Sequence, residues 1–468
     1  MIAYDEQEGH AFRFFSSVVG PVLSGPMDAY FWTHLVMQFG HFTPAVRHSV
    51  ITISLLYEDF FRGSRIVRVR QNPSALVHYN AAIQEIKAAP DEQLVLMVCI
   101  LFVCVELLQG DLVAATRHCH SGIAILERFN LSTTRASCPW VIQYLLPIFR
   151  RLSYWLFPPG RPDRGASLPK PSLTILEIGP EAPCVPDWFM TVTEASNSLD
   201  QIRARCGYLS QEDKPIQERE QDKTQLRDLL HSWSVQVSAF ESRCKDSLQR
   251  TERLAVCNLR MQHEKERICL DVRRGSKSFE EEVHYDRYLS SFKSIVDGAR
   301  RASRFVTPQK LPPDNAQRPS FSFEMGFLPV LFFVVMKCRH LEIRLEALSW
   351  IPRLCAAKES LMDLGTLFRV SIRLIEIEHR ISLDCDLGVQ DGEKASGMLG
   401  ATEMRVVGSP VDHEIETVTK EDGTISCRRT VRFIMQDSDE TVSSRQEYLE
   451  DDNLRHSKLQ IPGMRCAR

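Results

Sequence analysis

The chain has 468 residues, 44% of them hydrophobic and 25% charged, with a formal net charge of -3. That length is enough for a large buried core and, at about 150 residues per domain, for two or three domains; the balance excludes a fibrous or wholly disordered chain. The lack of a basic excess argues against a self-sufficient nucleic-acid surface, because affinity for phosphates is built largely from Lys and Arg.

The opening stretch, MIAYDEQEGHAFRFF, is acidic and polar. It has neither the basic n-region nor the continuous apolar h-region of a secretory signal, so the chain is expected to stay inside the cell. Thr43 followed by Pro44 reads as an N-cap and a first-turn proline, after which Val46, Val50, Ile53, Leu56 and Tyr57 recur at helical spacing. Asn72 and Pro73 repeat the device ahead of a stripe of Leu76, Tyr79, Ile83 and Ile86 that ends near Pro90. Asp91 can cap the very apolar helix that Gly110 stops. Asp111 can cap the next, in which Leu112, Ala115, Cys119, Ile123 and Leu126 fall on adjoining turns and Gly122 leaves room for a close neighbour. Two apolar runs, Leu94 to Leu108 and Phe327 to Met336, invite a membrane reading. The first carries Glu106 and the second is far short of the roughly 20 residues needed to cross hydrocarbon, so both read as core helices and no membrane span is expected.

Residues 158–171, reading PPGRPDRGASLPKP, oppose helix and predict a surface loop or hinge between two helical lobes. From Gln211 to Arg274 the chain is strongly charged, yet Leu226, Leu229, Leu230, Trp233, Val237 and Phe240 keep an apolar stripe. The stretch reads as a solvated amphipathic helix, with a dimer seam as the second use for its stripe. LPPDNAQRPS, around Asp314, is a turn-rich loop. After about Leu387 the composition turns polar, with GEKASG and acidic clusters. Residues 415–433 alternate, and Asp422 with Gly423 suits a two-residue hairpin turn. From Asp437 onward apolar content is low, which predicts disorder; such an acidic tail can also recruit coactivators.

Fourteen cysteines are scattered from Cys99 to Cys466 without a single CxxC pair, so reduced thiols are expected and no metal ligand is assigned. His118 and His120 flank Cys119 but point to different faces of a helix, which argues against a metal pair or dyad. Arg62, Arg65, Arg68 and Arg70 form a basic run that reads as a solvated loop, or else as a contact for phosphate or an acidic partner. There is no P-loop, dinucleotide glycine fingerprint, serine elbow or zinc-protease helix, so no catalytic residue and no cofactor are assigned.

Five sets of residues, in order, resemble the helical regulatory region of fungal zinc-cluster transcription factors. They are Tyr30, Phe31 and Trp32 with Pro44, Ala45, Val46 and Arg47; His78 to Asn80, Cys99 to Gly110 and Ser121 to Leu126; Glu194, Ala195, Leu199 and Ile202; Cys338, Arg339, Arg344, Ala347 and Leu348; and Ile375, Glu376 and Glu378. In that family an N-terminal six-cysteine cluster reads DNA and the helical body controls when it does so. No cysteine spacing in this sequence matches such a cluster.

The expected architecture is all-α, with stacked helix pairs forming an extended body and a small polar C-terminal segment carrying the hairpin. The boundaries follow as 1–157 for an N-terminal lobe, 158–171 for the hinge, 172–386 for a C-terminal lobe and 387–468 for a partly disordered tail. The resemblance implies a nuclear transcriptional regulator of a metabolic pathway or biosynthetic gene cluster. It would contact DNA only through another regulator or through a segment absent from this sequence, with transcription machinery, a second copy or a small effector as partners. The alternative is a helical interaction protein that titrates or scaffolds partners without binding DNA. A third reading, an enzyme, predicts clustered side chains with perturbed pKa values lining a cavity.

Overall fold

The computed structural model describes residues 6–27, 29–63, 67–88, 91–128, 138–156, 184–209, 215–272, 279–306, 320–383, 405–412, 416–419, 425–436 and 442–450. The expected hinge at 158–171, residues 311–319 of the turn-rich loop and the GEKASG stretch lie outside them. The chain forms two compact units. The first comprises Met1–Leu259, Arg318–Gly326 and Lys358–Leu361; the second comprises Arg260–Gln317, Phe327–Ala357 and Met362–Arg468.

In the first unit α1 (Glu6–Phe14), α2 (Gly20–Leu23) and α3 (Val36–Phe42) lead into α4 (Pro44–Phe61). Then come α5 (Pro73–Ala88), α6 (Glu92–Gln109), α7 (Leu112–Arg128), α8 (Leu146–Leu156), α9 (Val192–Tyr208) and α10 (Ile216–Arg243). A further helix, α11 (Arg250–Val272), divides between the units after Leu259. Most of the expected starts and stops are present. Asp91 Oδ1 accepts from Gln93 N at 2.9 Å, Asp111 Oδ1 from Ala114 N at 2.9 Å and Asn72 Oδ1 from Ala75 N at 3.0 Å. Gly110, with φ of 80°, closes α6 in the left-handed region that glycine tolerates at no cost. Thr43 holds the N-cap position of α4 without a side-chain bond, since Pro44 has already removed one of the donors to be satisfied.

By length and composition α6 could cross a membrane, but it is a core helix, buried from Leu96 to Leu108 and packed on α4 and α7. At Gly122 of α7 the Phe149 ring of α8 comes so near that a Cβ would sit 2.3 Å from its Cε1 and Cζ. Leu226, Leu230, Trp233, Val237 and Phe240 are buried on α10, which packs on α9, while Leu229 is half-buried. The stripe is therefore an internal face of this unit.

Two short strands, β1 (Phe321–Ser322) and β2 (Lys358–Glu359), pair in parallel inside the first unit. Polar contacts hold them there. Tyr57 Oη donates to Phe321 O at 3.3 Å and accepts from Phe321 N at 3.1 Å. Lys358 Nζ donates to Leu107 O at 2.5 Å at the end of α6, and Glu359 accepts from Gly326 N at 2.8 Å.

The second unit contains α12 (Phe279–His284), α13 (Leu289–Ser303), α14 (Leu328–Lys337), α15 (Leu341–Leu354) and α16 (Leu364–His379), with a two-residue strand, β3 (Met362–Asp363). Its C-terminal part is an antiparallel sheet of β4 (Val406–Gly408), β5 (Glu416–Thr419), β6 (Ile425–Gln436) and β7 (Val442–Glu450). β7 runs along β6, and β4 and β5 pair with its two ends. Val406, Val431 and Phe433 bury their side chains against Val370, Leu374 and Ile377 of α16. The architecture is thus an all-α body with a small C-terminal β segment.

The expected hairpin exists as β5 and β6, with Thr419 opposite Ile425; Asp422 and Gly423 lie in the connection, outside the described residues. The disorder expected from Asp437 onward does not hold at β7. Low apolar content was outweighed there by nine residues of ladder with β6 and by Arg373 of α16, which donates to Glu447 at 2.7 and 3.0 Å. Leu449 adds contact with the core below.

The Gly122 contact yields a direct test. Gly122→Ala should lower unfolding stability by about 1–3 kcal/mol through overpacking against Phe149. A urea midpoint equal to that of the parent would show that the ring can step aside freely.

Candidate functional site

Several of the residues that carry the family resemblance place polar groups in an apolar interior. Arg47, buried on α4, donates from Nε to Gly40 O at 3.1 Å and from Nη2 to His41 O at 2.7 Å, capping the end of α3. Trp32 packs edge-on to Phe31 and Phe323 with centroids 4.9 Å away in each case. Ala195 O on α9 accepts from Trp233 Nε1 at 2.8 Å, and Leu199 and Ile202 are buried beside it.

The first charged cluster is centred on Glu106, the buried acidic residue of helix α6, with 5% of its surface exposed. Oε1 accepts from Tyr79 Oη at 2.9 Å and Oε2 from Gln109 Nε2 at 3.0 Å; Gln109 Oε1 in turn accepts from Val69 N at 2.8 Å. Burial raises the Glu106 carboxyl to about 7, against the opposing bond from Tyr79, with Asp111 adding to the rise and Arg68 resisting it. Burial and the neighbouring carboxylate push the Tyr79 phenol up as well. Both oxygens of Glu106 are engaged by protein donors, so the group holds α5 to α6 rather than standing ready for a substrate proton.

Glu106 also links pH to stability. Its folded value lies above the ordinary carboxylate value, so the folded state binds more protons and the associated stability is full below about pH 4.5. That stability is lost as pH rises through about 7. Relative to Glu106→Gln, the parent chain should lose stability between pH 5 and 7 by up to about 1.4 kcal/mol per pH unit. Parallel urea curves for the two chains across that range would contradict the assignment.

The second cluster lies in the second unit, where Arg344 is fully buried on α15 and Glu378 is 1% exposed on α16. Arg344 Nη1 lies 2.5 Å from Glu378 Oε2 and 3.2 Å from His379 Nε2. Glu378 Oε1 accepts from Val406 N at 2.7 Å, tying the helix pair to β4. Arg339 Nε stands 3.9 Å from Glu378, and Arg405 meets Asp286 at 3.2 Å. Burial, followed by Arg344, Arg339 and His340, drives His379 down to about 3, too weak a base for proton transfer near neutrality. Removing one member of the buried pair strands the other charge. Arg344→Met or Glu378→Leu alone should cost about 3–5 kcal/mol, and the double variant Arg344→Met/Glu378→Leu should cost clearly less than the sum. Additive losses in denaturant unfolding would refute the pairing.

The remaining sequence candidates are dispersed. His118 packs on the Phe102 ring with centroids 5.2 Å apart, and burial lowers its pKa. Among the described residues neither it nor His120 joins a group of three metal-ligating side chains. Arg62, Arg68 and Arg70 are exposed, Arg62 pairing with Glu58 at 2.6 Å; Arg65 lies outside the described residues. The described cysteines are free thiols, and burial pushes Cys99 up to about 12 and Cys338 to about 11.

Sequence reading missed a third cluster, in which Arg151 of α8 donates to Glu324 at 2.7 and 2.8 Å and lies 3.4 Å from Asp200 of α9. Arg203 completes it, 3.2 Å from Asp200 and with its guanidinium 5.0 Å from the Tyr154 ring centroid. Partners so far apart in sequence leave no local signal.

Comparison with known proteins supports the same direction. No family model and no solved structure matches the chain. Over 219 residues it is 28% identical to the aspercryptin biosynthesis cluster-specific transcription regulator atnN of Emericella nidulans, a stretch covering 42% of this chain and 35% of that protein. The match thus spans about a third of the length of the curated relative. It makes the chain similar to a fungal cluster-specific transcription regulator and supports a transcription-regulator role.

Proposed function

We propose that this chain is the regulatory body of a fungal transcription regulator that controls a biosynthetic gene cluster or another metabolic pathway from the nucleus. The observation that carries the reading is the 219-residue similarity to a cluster-specific regulator. The pairing of resemblance residues, Tyr79 with Glu106 and Arg344 with Glu378, agrees with it, because it gives three of the five sets a reason to occur in one fold. The body acts through protein partners, either transcription machinery or a regulator that carries the DNA-reading surface, and a small effector can bias those contacts.

The test is to fuse the full chain to a foreign DNA-binding domain ahead of a reporter and to vary growth conditions. Transcription should change severalfold in at least one condition. A well-expressed fusion that leaves the reporter at the level of the DNA-binding domain alone in every condition would overturn the proposal and favour a partner-titrating protein.

A further inference from the structure

Glu8 on α1, His48 on α4 and His78 on α5 converge from three helices of the first unit, with one ligand atom of each within 4.8 Å of the others. The two imidazoles face each other through Nδ1 atoms 2.9 Å apart, with ring centroids at 5.1 Å. We propose that these three side chains bind one divalent ion of the zinc, cobalt and nickel class and thereby fasten α1 to α4 and α5.

The donor set selects the ion. Two imidazole nitrogens and one carboxylate suit borderline transition metals, whereas calcium takes six to eight oxygens and magnesium prefers water and carboxylate. The spacing of the two imidazoles is close to what such an ion requires, and the Glu8 carboxylate, within 4.8 Å of them, has to draw in to join it. At metal–nitrogen bonds of about 2.0–2.1 Å, nitrogens 2.9 Å apart subtend roughly 90°, and a tetrahedral angle needs them only about 0.4 Å further apart. Without an ion, one ring must donate its Nδ1 proton to the other; with one, both lone pairs turn to the metal. Burial is the leading influence on each ring and lowers both pKa values, which keeps the lone pairs available for binding. Glu8 opposes that lowering at both rings, Glu85 opposes it at His48, and Arg47 reinforces it there. All three ligands are half-buried, so an exchangeable ion can enter and water can complete its coordination.

α1 has reason to need such a clamp. It is nine residues long and buries Ala11 and Phe12. Its other attachments include Phe12 at Gly40, where a Cβ would lie 2.9 Å from the ring, and against the His41 ring, Phe14 edge-on to Tyr57 and Phe61, and Gln7, whose Nε2 donates to Ser74 Oγ of α5 at 3.4 Å.

The experiment uses the full chain, stripped with chelator and dialysed. Co2+ is titrated by visible absorption and Zn2+ by thermal unfolding, for the parent, Glu8→Gln and His78→Ala. The parent should take up one Co2+ with ligand-field bands and no thiolate-to-cobalt charge transfer, and Zn2+ should raise its melting temperature. Both variants should bind at least about tenfold more weakly, with Glu8→Gln, at a half-buried position, serving as the variant that keeps its fold. No uptake by the parent, a thiolate band from the cysteines, or uptake unchanged in both variants would each overturn the proposal.

Discussion

A helix enclosed by protein on every side must have all its polar groups satisfied by its neighbours, and the first unit is arranged around that requirement. α6 satisfies its own backbone along its length and leaves three obligations: its amino end, its carboxyl end and Glu106. Asp91 meets the first, and Gly110 with the Lys358 ammonium meets the second. Tyr79 and Gln109 meet the third. Burying a carboxyl without such partners would cost several kcal/mol, comparable to a large share of a domain's net stability. The positions of α5 and of β2 follow from that demand as much as from apolar packing.

Glu106 and Glu378 resolve the same desolvation problem in different ways. Glu106 has neutral donors at both oxygens and moves toward protonation, so its site is pH-sensitive. Glu378 has a guanidinium at 2.5 Å and a backbone donor at 2.7 Å. An ion pair of that kind adds little net stability over a well-packed apolar pair, but it is costly to break. It therefore specifies which helix faces which, and where β4 docks, more than how stable the unit is.

What was legible in the sequence was what is local. Asp91, Asp111, Asn72 and Gly110 act through bonds spanning two to four residues, and the stripes on α4, α5 and α10 follow from a helical period visible in a short window. Residues 320–326 and 358–361 were not legible as parts of the first unit, because Tyr57, Arg151 and the end of α6 lie 264, 173 and 251 residues from Phe321, Glu324 and Lys358 respectively. β7 was misjudged because composition measures apolar surface and is blind to a strand whose backbone is paired along its whole length. The convergence of Glu8, His48 and His78 lay hidden likewise: the sequence places each on a separate helix and gives no register between them.

Most of the residues that made the chain resemble a family are interior, and this bears on what similarity can transmit. Interior pairs such as Tyr79 with Glu106 are kept by the penalty for losing one partner, so they persist wherever the fold persists. Specificity for a partner or an effector resides on exposed or half-buried surface, where a substitution away from such pairs usually costs under about 0.5 kcal/mol and divergence is tolerated. A 28% match can therefore accompany a shared interior beneath a diverged surface. The same logic bears on the proposed ion, whose effect is greatest at an element whose attachment is weak enough to shift. α1 fits that description, with few buried side chains and with Phe14 resting on Tyr57, whose hydroxyl holds Phe321. Docking of α1 is thus a step whose free energy a bound ion can change, and β1 lies two contacts away.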